Sequence, residues 1–234
     1  MKLSVEDLNS YYGPAHILFD LALQVGEGEV VALLGRNGAG KSTTFRSIVG
    51  LVERRSGRII FEGRDVSKRP THEIVRAGLG YVPEERRIFT DLTVEENLEV
   101  GRRPKRPNAP YWSRDRLFAL FPNLRELRNR PGGRMSGGEQ QMLTIARTLM
   151  GNPSLMLLDE PSEGLSPKIV EQMINTILTM KKEGVSILLS EQNLHFARLI
   201  SDRVYIIERG RICFGGTMSE LEARPEIREA HLSI

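Results

Sequence analysis

The chain has 234 residues, a length that suits one compact domain with a core of its own and leaves little room for two independent domains. Lysine and arginine number 33 against 30 acidic residues, and the formal net charge of +3 is too small to indicate nucleic-acid binding. The single cysteine, Cys213, excludes an internal disulfide, and no apolar run approaches the roughly 20 residues that cross a bilayer. We therefore expect a protein of a reducing, cytosolic compartment that docks at a membrane if it works at one.

Strand signals begin at the first residues of the chain. Leu3, Val5 and Leu8 predict an edge strand, and the β-branched, apolar run from Glu29 to Leu34 predicts a buried one. Four further runs predict strands, at 154–158, 185–189, 204–207 and 211–214. Arg209-Gly210 lies between the last two runs and predicts a hairpin turn.

Helical signals dominate two regions. A helix is predicted over 167–183, between two of the strand runs, and such alternation is typical of a mostly parallel α/β sheet. Between about Glu85 and Met150 the pattern is again helical, interrupted by a basic, proline-containing loop over 101–107. We predict one domain over 1–234, with a helical subdomain inserted over 85–150.

A glycine-rich octet directly follows the strand predicted at 29–34. Its residues are Gly35, Arg36, Asn37, Gly38, Ala39, Gly40, Lys41 and Ser42. Between a strand and a helix this pattern predicts a phosphate-binding loop, because glycines let main-chain N–H groups face the phosphates. Lys41 is expected to meet the β- and γ-phosphates, Ser42 to ligate Mg²⁺, and Thr43 to contact the nucleotide. The alternative is a glycine turn that only joins strand to helix.

Two carboxylates, Asp159 and Glu160, stand at the carboxyl end of the strand predicted at 154–158. Open α/β sheets place their ligands at this end of the strands. We expect Asp159 to hold Mg²⁺ and Glu160 to orient or deprotonate the water that attacks the γ-phosphate. Without the phosphate loop, an acidic pair opening an exposed loop would be an equal alternative.

Ser136-Gly137-Gly138-Glu139-Gln140 precedes an amphipathic helix. Ser136 and Glu139 have the spacing of a capping box, so the segment could do no more than cap that helix. Gly137 and Gly138 leave the helix N-terminus bare, however, and the same geometry can present N–H groups and a hydroxyl to a phosphate.

The phosphate loop, the Ser136 motif and Asp159-Glu160, in this order, resemble the ABC (ATP-binding cassette) ATPase family over essentially the whole chain. The resemblance implies the P-loop NTPase fold of that family, with a mostly parallel core sheet, an antiparallel β subdomain near the N-terminus and the inserted helical subdomain. It implies that ATP and Mg²⁺ are bound. It also implies that two such domains enclose two ATP molecules, with Ser136, Gly137 and Gly138 of each completing the site of the other.

Further positions are assigned by the same resemblance. Tyr12 resembles the aromatic residue that stacks on adenine, although an isolated tyrosine more often packs in a core or on a surface. The segment 162–166 resembles the loop that contacts the partner domain, with Ser166 where many relatives have Asp.

Two positions depart from the pattern of most ABC ATPases. Glu84 stands where a Gln usually senses the γ-phosphate and Mg²⁺, and Gln192 stands where the family has its switch His. Glu84 could still approach Mg²⁺, adding one negative charge to the site. Gln192 can donate and accept hydrogen bonds and so position groups in catalysis, but it cannot become a cation as His can.

Those departures indicate a branch of the family. Val82-Pro83-Glu84, the segment 92–98 and Ser190-Glu191-Gln192-Asn193 resemble the ATPases of branched-chain amino acid importers, of the LivF type. ATPases of urea and short-amide importers share much of this pattern and stay open as an alternative. The resemblance implies permease partners, a second ABC ATPase in a heterodimer or a homodimer, an extracytoplasmic solute-binding protein that acts indirectly, and a peripheral position on the cytoplasmic face of the inner membrane.

Two other classes of protein fit the sequence less well. A soluble ABC ATPase acting on DNA or ribosomes could use the basic loop 102–106, but only Tyr111 and Trp112 follow it as aromatic neighbours, so no nucleic-acid partner is expected. A regulatory protein that binds ATP without cleaving it is disfavoured by Glu160, although Gln192 leaves it open.

Overall fold

The computed structural model describes residues 1–107 and 109–232; Asn108, Ser233 and Ile234, which belong to the domain predicted over 1–234, lie outside the described residues. The strands are β1 (Leu3–Tyr12), β2 (Ala15–Val25), β3 (Val30–Leu34), β4 (Arg54–Phe61), β5 (Arg64–Asp65), β6 (Leu79–Val82), β7 (Leu155–Asp159), β8 (Ser186–Glu191), β9 (Arg203–Glu208) and β10 (Arg211–Thr217). The helices are α1 (Lys41–Ile48), α2 (Thr71–Ala77), α3 (Val94–Gly101), α4 (Arg114–Leu120), α5 (Pro122–Glu126), α6 (Gly137–Leu149), α7 (Pro167–Lys182), α8 (Leu194–Ile200), α9 (Met218–Glu222) and α10 (Pro225–Leu232), with a 3₁₀ turn at Gly132–Arg134.

The core sheet runs in the order β10-β9-β3-β8-β7-β6. Every pairing in it is parallel except that of β10 with β9, which confirms the predicted parallel sheet. All five residues of β3 are buried: Val31 and Leu33 belong to one core cluster, whereas Val30, Ala32 and Leu34 belong to the other. A strand buried on both faces reads as a continuous apolar run, which is why the sequence revealed it.

A second, antiparallel sheet has the order β2-β1-β4-β5 and confirms the predicted antiparallel subdomain. The prediction of an edge strand at Leu3, Val5 and Leu8 is wrong, because β1 lies between β2 and β4. The alternation of its apolar residues indicates only that one face of a strand is buried. Whether both edges are paired depends on segments elsewhere in the chain.

The predicted turn at Arg209-Gly210 joins β9 to β10 with φ values of 47° and 77°. Left-handed values at both positions match the right-handed twist of a hairpin. A Cβ on Gly210 would lie 1.9 Å from the carbonyl oxygen of Ile17, so only glycine allows this close approach. Gly210 N–H donates to the carbonyl of Ala39 at 2.8 Å, and the hairpin thereby supports the glycine-rich loop.

Helices α3 to α6 lie between residues 94 and 149, inside the range predicted for the helical subdomain. Leu98, Leu117 and Leu143 bury their side chains in the same core cluster as one face of the parallel sheet. No helix in the described part of the chain is both long and apolar enough to cross a membrane.

Candidate nucleotide site

The glycine-rich loop joins the end of β3 to the start of α1. Gly38 and Gly40 have φ values of 79° and 115°, in the left-handed region that favours glycine. A Cβ on Gly40 would lie 2.9 Å from Cδ2 of Leu18, and one on Gly35 would lie 2.5 Å from the carbonyl oxygen of Ile207. The loop therefore packs directly against β2 and β9, and these two strands restrict the path of its main chain.

The inner side of this loop presents unpaired donors. Within residues 1–107 and 109–232, six main-chain N–H groups donate to no protein acceptor, those of Asn37, Gly38, Gly40, Lys41, Ser42 and Thr43. The N-cap residue of α1, Gly40, offers no side-chain acceptor, and the first turn of the helix carries no acidic residue. Free N–H groups at the positive end of a helix fit an anionic phosphate group.

Lys41 is buried at the base of the loop. Its Nζ donates to the carbonyl oxygens of Gly35, at 2.7 Å, and Arg36, at 3.1 Å, and lies 2.9 Å from Oε1 of Glu160. The ammonium group therefore sits where the loop and the end of β7 meet. A cation there can serve both a phosphate and the adjacent carboxylate.

Asp159, at the end of β7, accepts hydrogen bonds from three hydroxyl groups. Ser42 Oγ lies 3.1 Å and Ser190 Oγ 2.7 Å from Oδ1, and the hydroxyl of Tyr81 lies 3.3 Å from Oδ2. Burial raises the pKa of Asp159, while the Ser190, Ser42 and Tyr81 hydrogen bonds oppose that rise. A hydroxyl and a carboxylate at this distance are oxygen ligands of the kind that Mg²⁺ prefers.

Glu160 is held by the neighbouring strand. Its φ of 48° is unusual for a residue with a side chain, and its N–H donates to both the carbonyl oxygen (3.2 Å) and Oγ (3.0 Å) of Ser190. The chain therefore turns sharply after Asp159, so that two consecutive carboxylates reach one site. Backbone strain of this kind is common at functional sites, where a side chain must be held in one orientation.

Three other predicted residues lie around this centre. Gln192 Nε2 is 3.5 Å from Oε1 of Glu160, at the outer limit of hydrogen bonding. Partial burial raises the pKa of Glu84, as do the carboxylates of Glu163 and Asp159. Glu84 is therefore close enough to Asp159 for their charges to interact. Tyr12, at the end of β1, is 44% exposed and lies near Arg46 of α1.

The Ser136 motif forms the N-terminus of α6. Both hydrogen bonds of the capping box are present: Ser136 N–H donates to Glu139 at 2.8 Å, and Glu139 N–H donates to Ser136 Oγ at 3.4 Å. A Cβ on Gly137 would lie 2.4 Å from a guanidinium nitrogen of Arg86. Within residues 1–107 and 109–232, Ser136, Gly137 and Gly138 make no hydrogen bond to the phosphate loop of the same chain.

Two residues that organise the site were not predicted. Ser190 bonds both Asp159 and Glu160, and buried Glu191 accepts hydrogen bonds from the N–H groups of Ser162 (3.0 Å), Gln192 (3.3 Å) and Asn193 (3.4 Å). Burial raises the pKa of Glu191 to about 7. Their signal in the sequence is two polar residues that directly follow the apolar run 187–189 in β8.

Comparison with known proteins gives consistent matches. Residues 18–163 match the family model described as ABC transporter. The chain is 43% identical over 230 residues to the high-affinity branched-chain amino acid transport ATP-binding protein BraG of Pseudomonas aeruginosa, covering 98% of this chain and 99% of that protein. It is 38% identical over 215 residues to a probable branched-chain amino acid transport ATP-binding protein, LivF, of Archaeoglobus fulgidus, covering 92% and 91%.

A protein of different function also matches along its length. The lipopolysaccharide export system ATP-binding protein LptB of Haemophilus influenzae is 34% identical over 232 residues, covering 98% of this chain and 96% of that protein. Among solved structures, the ADP conformation of an ATP-binding cassette of an ABC transporter superposes with a TM-score of 0.82 at 26% identity, covering 97% of each chain.

Proposed function

Because the chain belongs to the ABC transporter ATP-binding family, whose members hydrolyse ATP to drive transport, we propose that it powers an importer for branched-chain amino acids. The proposal of ATP hydrolysis rests on four side chains that lie close together beside a loop of unpaired N–H groups, those of Lys41, Ser42, Asp159 and Glu160. The solute class rests on the similarity to BraG, which extends over nearly the full length of both chains.

The residues divide the work as follows. ATP supplies the phosphoanhydride bond, and Mg²⁺ neutralises charge on its phosphates. The N–H groups of the loop and the ammonium of Lys41 bind phosphate oxygens, while Ser42 and Asp159 hold the cation. Glu160 accepts the proton of the attacking water, and Gln192, near its carboxylate, positions that water. Glu84 adds a further carboxylate on the cation side.

A second ATPase subunit completes each site. Ser136 is hydrogen bonded to Glu139, and a guanidinium nitrogen of Arg86 lies close to Gly137. Among the residues that the structure describes, no hydrogen bond runs from Ser136, Gly137 or Gly138 to the phosphate loop of the same chain. The exposed N-terminus of α6 can instead face the nucleotide of a partner, a sister ATPase in a heterodimer or a second copy. Tyr12, exposed near α1, stacks on the adenine.

The permease docks in a groove of about 370 Å³ between α2, α3 and α6. Three exposed hydrophobic side chains line it, Val75 (40% exposed), Phe89 (47%) and Val100 (46%). Phe89 is held in place although it is exposed, because its N–H and carbonyl group both bond to buried Asn97, each at 2.9 Å. An exposed aromatic side chain on a main chain held in this way suits a partner helix better than it suits water.

The loop after β6 links this groove to the nucleotide site. It runs from Glu84 to Phe89 and is tied to α6, since Thr144 Oγ1 donates to the carbonyl of Arg86 at 2.6 Å and Arg147 donates to that of Arg87 at 2.7 Å. A change at Glu84 is thereby passed to α6 and to the groove.

The subunit works peripherally at the cytoplasmic face of the inner membrane, and an extracytoplasmic solute-binding protein delivers cargo to the permease.

Uptake by cells tests the solute. The gene is deleted in the native host, and uptake of radiolabelled leucine is measured after restoring either the unaltered protein or Glu160→Gln. Leucine uptake should require the unaltered protein and should be absent with Glu160→Gln. Normal leucine uptake in the deletion strain would refute the assignment. Loss of urea or short-amide uptake, or of lipopolysaccharide export, would identify one of the alternatives.

A further inference from the structure

A cluster of three metal-ligating side chains lies away from the nucleotide site, where α10 meets the β9–β10 hairpin. Glu208 ends β9, Cys213 lies in β10 and His231 lies in α10; one ligand atom from each falls within 4.8 Å of the others. Nδ1 of His231 is 2.7 Å from Oε2 of Glu208. The three residues are distant in sequence from every motif that binds nucleotide.

A β-bulge brings Cys213 to this place. In the pairing of β10 with β9, Ile212 is opposite Ile207 and Phe214 is opposite Ile206, so Cys213 is an extra residue. Ile212 packs against one core cluster and Phe214 belongs to the other, although strict alternation would put both on one face. The bulge reverses the alternation and places Cys213 beside Glu208, on the side that α10 covers.

From this geometry we infer that Glu208, Cys213 and His231 form a zinc site that fastens the C-terminal helix to the edge of the core sheet. A thiolate, an imidazole and a carboxylate are all ligands of Zn²⁺, and three protein ligands leave a fourth position for water. Zinc bond lengths of about 2.0–2.3 Å require ligand atoms about 3.3–3.6 Å apart in a tetrahedron. Glu208 and Cys213 are exposed and His231 is partly buried, so side-chain rotation of Glu208 and Cys213 can bring the ligand atoms to that spacing. The cation would take the place of the hydrogen between Nδ1 of His231 and Oε2 of Glu208.

A zinc ion at this site would strengthen the attachment of α10 to the rest of the domain. Helix α10 has no buried residue, and only Ile227 and Leu232 pack against the core as partly buried side chains. A short amphipathic helix with so little apolar burial is weakly held. A cation bound to residues on both sides would cross-link α10 to the hairpin that also supports the phosphate loop.

Because Cys213 is the only cysteine, its alkylation reports on the site alone. About two equivalents of Zn²⁺ should slow alkylation of the full-length, metal-stripped protein by iodoacetamide at least about tenfold, because a bound thiolate is no longer free to react. His231→Gln and Glu208→Gln should each abolish this protection, whereas His72→Gln, at an exposed histidine elsewhere, should retain it. Equal protection in all variants, or none in the unaltered protein, would overturn the inference.

Cobalt gives a second measurement that separates ligation from simple shielding. Co²⁺ bound by the thiolate should produce a near-ultraviolet charge-transfer band, which in this chain can come only from Cys213. The band should be absent in Cys213→Ser. Loss of zinc protection without a change in ATP hydrolysis would leave the proposed ATPase untouched, so the two proposals fail separately. The absence of the band in the unaltered protein would refute direct coordination.

Discussion

Lys41 and Glu160 form a buried ion pair, with Nζ 2.9 Å from Oε1 and each side chain only 5% exposed. The pair joins the phosphate loop to the residue after β7, so the proposed phosphate-binding cation and the proposed base contact each other. A phosphate that enters the loop competes with Glu160 for the ammonium group. In the proposed mechanism, binding of the nucleotide therefore releases Glu160 from Lys41, and the freed carboxylate can meet the attacking water.

Lys41→Ala should reduce ATP binding below detection, because the cation that meets the phosphates is lost. It should also lower the free energy of unfolding without nucleotide by about 3–5 kcal/mol, since it leaves Glu160 buried without a partner. Isothermal titration with ATP and urea denaturation measure the two effects. In the double variant Lys41→Ala, Glu160→Gln, the loss of stability should be smaller than the sum of the two single losses.

Glu160→Gln should bind ATP at least as tightly as the unaltered protein, because an amide competes less with the phosphates for Lys41. It should lose hydrolysis by at least about two orders of magnitude, because an amide cannot accept the proton of water. Single-turnover hydrolysis with radiolabelled ATP measures the chemical step directly. Hydrolysis at the original rate would remove Glu160 from the role of base.

Ser190→Ala should lower kcat while leaving the dissociation constant for ATP nearly unchanged. The hydroxyl positions Asp159 and the N–H of Glu160, and its loss removes one hydrogen bond from each group, worth about 1–3 kcal/mol where the acceptor is charged. Glu160 then keeps only its bond to the carbonyl of Ser190, and Asp159 keeps its bonds from Ser42 and Tyr81. Ser186→Ala, at the other end of β8 and hydrogen bonded to Gly28, is the matched control and should retain kcat. Equal effects of the two substitutions would argue for a general loss of packing.

Gln192→His should add a pH dependence of kcat to that of the unaltered protein. A histidine beside Glu160 can become a cation, and its ordinary pKa is about 6.5. The kcat of this variant should therefore change with pH around 6 to 7, whereas that of Gln192→Ala should be lower than normal without such a step. Identical pH profiles in both variants would place the side chain at 192 away from the reacting groups.

Glu191 should make stability depend on pH. Burial raises its pKa from the ordinary carboxyl value of 4.5 to about 7, so between these values the folded protein binds a proton that the unfolded chain has lost. The free energy of unfolding should fall as pH rises through this range, by up to about 3 kcal/mol from this group. Urea denaturation at pH 5 and pH 7.5 should show a smaller pH effect in Glu191→Gln. An unchanged slope would mean that Glu191 is ionised at both pH values.

Phe89→Asp should weaken association with the permease, because a charge would replace the exposed aromatic side chain of the proposed docking groove. Co-purification of the permease from detergent-solubilised membranes measures this. Leu199→Asp changes an equally exposed side chain of α8, 47% exposed, and should leave co-purification normal. The groove assignment fails if both variants retain the permease equally.

The local motifs were determined by the sequence. The apolar run of β3, the octet that begins at Gly35 and the pair Asp159-Glu160 each predict structure from neighbouring residues alone. Their physical requirements are local as well: left-handed glycines, a helix N-terminus and the end of a buried strand. The capping box at Ser136 follows from a spacing of three residues and could be predicted for the same reason.

Only the tertiary structure decided how distant segments meet. The interior position of β1, the bond from Ser190 to Asp159 and the role of Glu191 all depend on which strands become neighbours. The bulge that places Cys213 beside Glu208 is set in the same way by pairing with β9. Strand order and register depend on packing of the whole core, whereas the sequence pattern of a strand reports only which of its faces are buried.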